Sequence, residues 1–213
     1  MPDRVQEEVG VDAVLEHDAR LMLQVKAGDS TSFELLLVKY RSPMVNFLTR
    51  MVQNQGVAEE LSQEVFLRVY KARESYEPTA KFTTWLYRIA THLALNSIRD
   101  RRHEKNQRSL QEEVADRHKF EVRDTRANRE QEMVAEIRLQ VVRQAIADLP
   151  QKQRAAVIMH KYQELDYVHI AGALGCSVPA VKSLLFRAYE TLRARLQHLG
   201  AGGTKGPIGR EAA

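Results

Sequence analysis

The sequence predicts an all-α protein in which two small helical domains are joined by a charged linker. Helical periodicity dominates the chain, and the alternation of apolar and polar residues that indicates a strand is nearly absent. A length of 213 residues is enough for one domain of average size or two small ones. From residue 104 to about 129 the chain is rich in charge and poor in aromatic residues, which is typical of a linker.

The first half of the chain contains the signals of several helices. Thr31 and Glu34 have capping-box spacing, which predicts a helix start there. Ser42-Pro43 predicts a break, and residues 54–56 predict a turn before the next helix. The predicted helices of this part are 18–27, 31–40, 44–52 and one around residues 59–72.

The helix around residues 59–72 has an apolar face and a polar face at 100° per residue. The predicted core stripe consists of Leu61, Val65, Phe66, Val69 and Tyr70. The opposite face consists of Glu60, Gln63, Glu64, Leu67 and Lys71. A solvated surface is the ordinary interpretation of such a face, and a single exposed leucine is common.

The following helix carries a line of aromatic, amide and basic residues beside its apolar stripe. The predicted core residues are Phe82, Leu86, Ile89 and Leu93. The second line consists of Trp85, Arg88, His92, Asn96 and Arg99. Such groups can stack on bases, bond base edges and neutralise phosphates, although Trp85 as a core residue with an incidental His92 is the alternative. A basic end that fits phosphate contacts follows, with Arg99, Arg101, Arg102, Lys105 and Arg108.

The C-terminal part predicts a helix from about residue 130 and then a helix-turn-helix in residues 165–196. The first has an apolar stripe of Met133, Ile137, Val141 and Ile146. Gly175 can supply a positive φ in the turn, and Ser177 with Pro179 fits the start of the next helix. An ordinary αα-hairpin is the alternative. We expect Val181, Leu184 or Leu185, Ala188 and Leu192 to face inward, leaving Lys182, Ser183 and Arg187 exposed.

Composition argues against a catalytic or metal-binding protein. The chain has no phosphate loop, HExxH, CxxC or GxSxG motif, so we expect neither enzymatic activity nor a cofactor. His160 and His169 lie nine positions apart without a cysteine partner, which disfavours a zinc site. Cys176 is a candidate redox thiol, but we expect a small buried residue. With one cysteine, no secretory signal and no long apolar run, we expect a cytoplasmic protein.

A resemblance to a known family unites these features. Residues 30–102, especially AEELSQEVFLRVYKA and FTTWLYRIATHLALNSIRDRR, resemble the second conserved region of bacterial sigma factors of the extracytoplasmic-function (ECF) group. In that family the first of these helices docks on the clamp helices of RNA polymerase. The resemblance therefore implies polymerase binding by Glu60, Gln63, Glu64, Leu67 and Lys71, where Glu60 replaces a common aspartate and keeps its charge.

The same resemblance implies promoter contacts. In the family, the loop matching residues 74–84 and the helix after it open the minus-ten element and hold its non-template strand. Combined with the basic line above, the expected minus-ten residues are Tyr76, Lys81, Trp85, Arg88, His92, Asn96, Arg99, Arg101 and Arg102.

Residues 145–196 resemble the fourth conserved region of the same group, whose second helix reads the minus-thirty-five element. The residues implied in this contact are Ser177, Ala180, Lys182, Ser183 and Arg187. Family members commonly have Gly-Thr in place of Pro179-Ala180 and Arg in place of Leu184, so fewer polar groups are available here for DNA.

The predicted function is that of an ECF sigma factor, with core RNA polymerase, promoter DNA and an anti-sigma factor as partners and no small-molecule substrate. The anti-sigma factor is a possible membrane tether. A stand-alone helix-turn-helix regulator or a purely helical adaptor are the alternatives, and each leaves one of the two surfaces unused. The predicted segments are an N-terminal extension (1–17), region 2 (18–103), a linker (104–132), region 4 (133–197) and a flexible tail (198–213).

Overall fold

A computed structural model describes residues 16–108 and 129–200 of the chain. These residues contain eight α-helices, a short 3-10 turn at Arg73–Ser75 and no strand, which confirms the predicted all-α class. The helices are α1 (His17–Lys26), α2 (Ser30–Val52), α3 (Gln55–Lys71), α4 (Phe82–Arg108), α5 (Arg129–Ala147), α6 (Gln151–Tyr162), α7 (Tyr167–Leu174) and α8 (Val178–Gly200). Most of the predicted N-terminal extension, the middle of the predicted linker and nearly all of the predicted tail lie outside the described residues.

Helix α2 begins one residue earlier than predicted, and its cap is different. The Asp29 side chain accepts hydrogen bonds from the Thr31 backbone N–H at 2.9 Å and from the Ser32 hydroxyl at 2.7 Å. An aspartate at this position satisfies free N–H groups of the first turn. The predicted capping box of Thr31 and Glu34 is therefore wrong.

The predicted break at Ser42-Pro43 is also wrong, because α2 runs through Pro43 without interruption. An interior proline removes one backbone donor and costs about 3 kcal/mol in an exposed helix. Here Tyr40 and Met44 on either side, and Phe47 one turn later, are buried in the core. Their packing offsets the lost hydrogen bond.

Helix α3 starts at an Asn54 cap, whose side chain accepts from the Val57 N–H at 3.0 Å. Val65, Phe66 and Val69 are buried, as predicted. Tyr70 is not a core residue as predicted, since 41% of it is exposed. It lies on the surface, where the Phe33 ring is 5.1 Å away.

The second half of the described chain forms the predicted helix-turn-helix. Gly175 has φ 60° at the end of α7, and α7 and α8 are bent by 98° relative to one another. No single helix of the described ranges is both long and apolar enough to cross a membrane. The bent pair of α7 and α8 reaches that length and apolar composition only when the two helices are taken together. Of the two alternative core residues, Leu185 is buried and Leu184 is half-buried.

Two predictions in this half are wrong in detail. Ile137 of the predicted α5 stripe is 51% exposed. Cys176 is half-buried and carries a free thiol, although a buried residue was expected.

Both halves of the chain share one continuous core. Buried side chains of α1 to α4 join those of α5 to α8 in a single cluster. Helix α4 packs on α7, and α2 packs on α6. The two regions therefore form one body in this structure.

Candidate nucleic-acid and polymerase interface

The polar face of α3 is accessible along its length. Glu60, Gln63 and Lys71 are exposed, and Leu67 is 45% exposed between them. Glu64 is half-buried and accepts from Arg68 Nε at 2.7 Å, one helical turn away. This arrangement leaves one apolar side chain exposed among charged and amide groups.

The loop between α3 and α4 is held by its contacts with α1 and α4. Lys26 Nζ donates to the Tyr76 carbonyl at 3.0 Å, and Glu16 accepts from the Phe82 N–H at 3.2 Å. The Tyr76 side chain is buried, and its ring lies 5.0 Å from that of Trp85. Burial, followed by the charges of Glu16 and Asp18, raises the pKa of Tyr76 to about 12. Tyr76 thus anchors the loop, and Lys81 at its end is exposed.

The line of residues predicted on α4 forms one surface. Arg88, His92, Asn96 and Arg99 are all exposed. Trp85 is half-buried, with its ring 5.9 Å from that of Phe82, so it belongs partly to the core, as the alternative proposed, and partly to the surface. We call these five residues, Trp85, Arg88, His92, Asn96 and Arg99, the α4 stripe.

The basic end of α4 is fixed in part by local hydrogen bonds. Arg101 donates to the Ser97 hydroxyl at 3.0 Å, and Arg99 lies 3.4 Å from the Asp100 carboxylate. Arg102 is exposed. Exposed ion pairs contribute little to stability, so these guanidinium groups remain accessible to phosphate.

The start of α8 presents a second surface. Ser177 accepts from the Ala180 N–H at 3.4 Å at the start of the helix, and Ala180 itself is half-buried. Lys182, Ser183 and Arg187 are exposed, as predicted. At the start of α7, a hydrogen bond from the His169 backbone N–H holds the pKa of the Asp166 carboxylate below its ordinary value.

Phe186 is a surface residue that the sequence interpretation missed. It is 67% exposed and lines a shallow open depression with Lys182, Ser183 and Arg187. Because the inward positions of α8 are known, residues 182, 183, 186 and 187 fall together on the opposite side of the helix. The helical periodicity of the sequence therefore indicates that Phe186 is exposed. An apolar side chain at this position can contact the methyl group of thymine.

Comparison with known proteins identifies this arrangement. Residues 36–104 match Sigma-70 region 2, and residues 139–192 match Sigma-70 region 4. The RNA polymerase sigma-H factor of Pseudomonas aeruginosa is 31% identical over 186 residues, which cover 86% of this chain and 96% of the relative. This chain belongs to the sigma-70 family. The ECF RNA polymerase sigma-E factor of Escherichia coli is 32% identical over 187 residues, covering 85% and 95% of the two chains.

Solved sigma-factor structures have the same fold. CnrH in complex with the cytosolic domain of CnrY superposes with a TM-score of 0.65 at 19% identity, covering 86% of this chain and 99% of that one. RpoE in complex with the anti-sigma factor NepR from Bartonella quintana gives a TM-score of 0.61 at 21% identity, covering 78% and 96%. In this sigma factor, α3 and the α4 stripe lie within the region 2 match, and the exposed start of α8 lies within the region 4 match.

Proposed function

We propose that this sigma factor docks on core RNA polymerase through the polar face of α3 and directs transcription initiation through α4 and α8. The observation that supports it best is the presence of two unlike surfaces on neighbouring helices of one core. One is a mixed apolar and charged face on α3, and the other is the aromatic and basic α4 stripe.

The α3 face is chemically suited to a helical protein partner. Leu67 provides an apolar centre, and Glu60, Gln63 and Lys71 form a polar rim around it. Interfaces draw most of their binding energy from a few central side chains that are shielded from water by such a rim. Glu64 lies beside this rim and pairs with Arg68 one helical turn away.

The α4 stripe is suited to a DNA strand that has left the duplex. Stacking on an aromatic ring contributes about 1–3 kcal/mol per base, which offsets the few kcal/mol needed to extrude a base. Trp85 offers such a ring, Asn96 can bond a base edge, and Arg99 and Arg102 can neutralise phosphates. Tyr76 is buried, so its contribution is to hold the loop and the Trp85 ring in place.

The start of α8 is suited to the major groove of the minus-thirty-five element. Lys182 and Arg187 supply charge, Ser183 supplies a hydroxyl, and Phe186 adds an apolar contact. The half-buried Leu184 and Ala180 contribute packing in place of the polar groups that are common in the family.

The proposed setting is the cytoplasm, where RNA polymerase and the chromosome are found. We also propose an anti-sigma factor as a regulatory partner, since both solved neighbours described above were determined with a second protein bound.

The deciding experiment is run-off transcription with purified core polymerase on a promoter library. The variant carries Gln63→Ala with Glu64→Lys, and a matched control carries Gln140→Ala with Glu34→Lys at exposed positions outside the proposed surfaces. We expect the wild type and the control to yield transcripts from a defined promoter set, and the α3 variant to yield none.

Two results would contradict the proposal. If the α3 variant transcribes as well as the wild type, the polar face of α3 is not the surface that docks on polymerase. Wild-type protein that yields no transcript, yet binds duplex DNA without core polymerase, would indicate a stand-alone helix-turn-helix regulator.

A further inference from the structure

Helix α1 is bonded to both ends of the loop that precedes α4. We call residues 76–81, between the 3-10 turn and α4, the minus-ten loop. At the end of α1, Lys26 Nζ donates to the Tyr76 carbonyl at 3.0 Å. Just before the start of α1, the Glu16 carboxylate accepts from the backbone N–H of Phe82, the first residue of α4, at 3.2 Å. The two ends of one short helix therefore hold the two ends of this loop.

The minus-ten loop has few hydrogen bonds of its own. Residues 76–81 all belong to the described part of the chain, and they form neither helix nor strand. Their one backbone hydrogen bond with both partners inside the loop joins the Thr79 N–H to the Glu77 carbonyl at 2.8 Å. A segment with so few internal bonds opens easily unless its neighbours hold it. The position of this loop therefore depends on contacts from outside it, and α1 supplies those at its two ends.

Helix α1 is itself fixed firmly to α2. Asp18 of α1 is buried, and its carboxylate accepts from Lys39 Nζ at 2.6 and 2.7 Å and from the Tyr40 hydroxyl. A buried carboxylate has lost its water and needs such partners, so these bonds fix the orientation of the helix. Met22 and Val25 of α1 are buried in the core. Helix α1 is therefore a rigid support for the loop.

The Glu16 contact acts on the start of α4, where Trp85 lies. The first N–H groups of a helix have no partner within it, and a carboxylate there accepts a hydrogen bond and stabilises the positive end of the helix dipole. Such a cap ordinarily comes from the residue next to the first turn, but Glu16 is 66 positions away in sequence. Trp85 belongs to the first turn of α4, and its ring lies 5.0 Å from that of Tyr76. The bonds from α1 therefore fix both the loop and the base of the indole ring.

We propose that α1 positions the minus-ten loop and Trp85 for the capture of unpaired DNA, with Glu16 and Lys26 as positioning residues. This inference rests on the proposed function, in which Trp85 stacks on an extruded base. A loop that is already ordered loses less conformational freedom on binding, so binding is tighter. Glu16 is half-buried and its carboxylate repels phosphate, so its effect on DNA binding is indirect.

Intrinsic fluorescence of the free full-length protein tests the position of the ring. Trp85 is the one tryptophan of the chain, so its emission reports on this site alone. We expect Glu16→Ala to shift the emission to longer wavelength and to increase quenching by acrylamide, while the circular dichroism of the helices stays unchanged. Glu16→Gln should keep the wild-type spectrum, because its amide oxygen can still accept from the Phe82 N–H.

DNA binding is measured with the complete polymerase complex on a fork-junction DNA. The unpaired strand of this probe carries the minus-ten sequence of a promoter found by run-off transcription, and the probe has no minus-thirty-five element. We expect Glu16→Ala and Lys26→Ala each to weaken binding about tenfold, which is the size expected when a helix cap or a charged hydrogen bond is lost. Glu16→Gln and Lys26→Arg should stay within about threefold of wild type, since each keeps its hydrogen bond.

Two controls separate positioning from other effects. Asp166→Ala removes a side-chain cap of the same kind at the start of α7, where the Asp166 carboxylate accepts from the His169 N–H at 2.9 Å. The probe lacks the minus-thirty-five element, so this variant should bind it as well as wild type does. The slope of log affinity against log salt should stay unchanged in Lys26→Ala, because loss of a direct phosphate contact would reduce it by about one.

Each result supports or overturns the inference. Wild-type fluorescence in Glu16→Ala, or wild-type binding by both alanine variants, would overturn it. Binding by Glu16→Gln that is as weak as that of Glu16→Ala would overturn the role of the hydrogen bond to Phe82. A reduced salt slope in Lys26→Ala would make Lys26 a DNA contact and overturn its positioning role. If the wild-type complex yields no transcripts, the proposed function fails, while fluorescence of the free protein still decides whether α1 positions Trp85.

Discussion

Replacing Arg154 tests how much one partly buried side chain stabilises the junction of α2, α5 and α6. Its guanidinium group donates to the carbonyls of Met51 at 2.7 Å and Leu149 at 3.3 Å, and also to that of Ala147. These carbonyls belong to the ends of α2 and α5 and to the turn after α5, where backbone acceptors have no partner within the helix. Burial lowers the pKa of Arg154, which reflects the cost of placing this cation inside the protein.

We expect Arg154→Ala to lower the free energy of unfolding by about 3 kcal/mol. Hydrogen bonds that involve a charged group contribute about 1.5–3 kcal/mol each, and the two bonds to Met51 and Leu149 are offset in part by the cost of burying the cation. Arg154→Lys should lose about half as much, since an ammonium group keeps the charge but cannot reach several carbonyls at once.

Urea unfolding followed by circular dichroism measures both losses. Arg195→Ala is the control, because Arg195 forms an exposed ion pair with Asp148 at 2.8 Å and such pairs contribute less than about 1 kcal/mol. If Arg154→Ala is no more destabilising than Arg195→Ala, the hydrogen bonds of Arg154, including the one to Met51 that joins the two halves, do not stabilise the protein and the reasoning fails.

Two other predictions concern DNA binding and pH. Arg99→Ala with Arg102→Ala should weaken promoter binding by the polymerase complex and reduce the slope of log affinity against log salt by about 2, one unit for each lost phosphate contact, and an unchanged slope in filter-binding titrations would exclude these contacts. Burial, and then the charge of Lys161, lowers the pKa of His160, whose Nδ1 is 2.9 Å from the Tyr189 hydroxyl. The folded state then binds this proton less readily than the unfolded state, so the contribution of His160 to stability is present above pH 6.5 and is lost as the pH falls below it. A His160→Gln variant should show a smaller loss of thermal stability than wild type in this acid range.

Periodicity alone predicted most of the core and surface positions of α3, α4 and α8, because each helix has one side in the core and one in water. The errors occurred where tertiary packing overrode a local signal. A proline normally ends a helix, but α2 continues through Pro43 because Tyr40 and Met44 on either side are packed in the core. Tyr70 continues the apolar spacing of α3 but lies beyond the edge of the core, against Phe33.

The packing between the halves could not be predicted from the sequence, and α4 explains why. Thr84, Tyr87 and Thr91 have hydroxyl groups, and a line of such residues on a helix is ordinarily a solvated surface. Nothing in the sequence distinguishes that face from one covered by another helix. The burial of these side chains and the packing of α7 on α4 show that the face is covered.

The mixed character of this α4 face makes its contact with α7 weaker than an aliphatic contact would be. If the face consisted of leucine or isoleucine, burial against α7 would contribute about 1.5–3 kcal/mol per side chain. If it were charged, the desolvation cost would oppose the contact. Thr84 and Thr91 are buried, and their hydroxyl groups have no hydrogen-bond partner within the described ranges, which costs about 1–3 kcal/mol for each group. The junction of the two halves therefore depends on the apolar core around this face and on polar contacts such as that of Arg154 with the Met51 carbonyl.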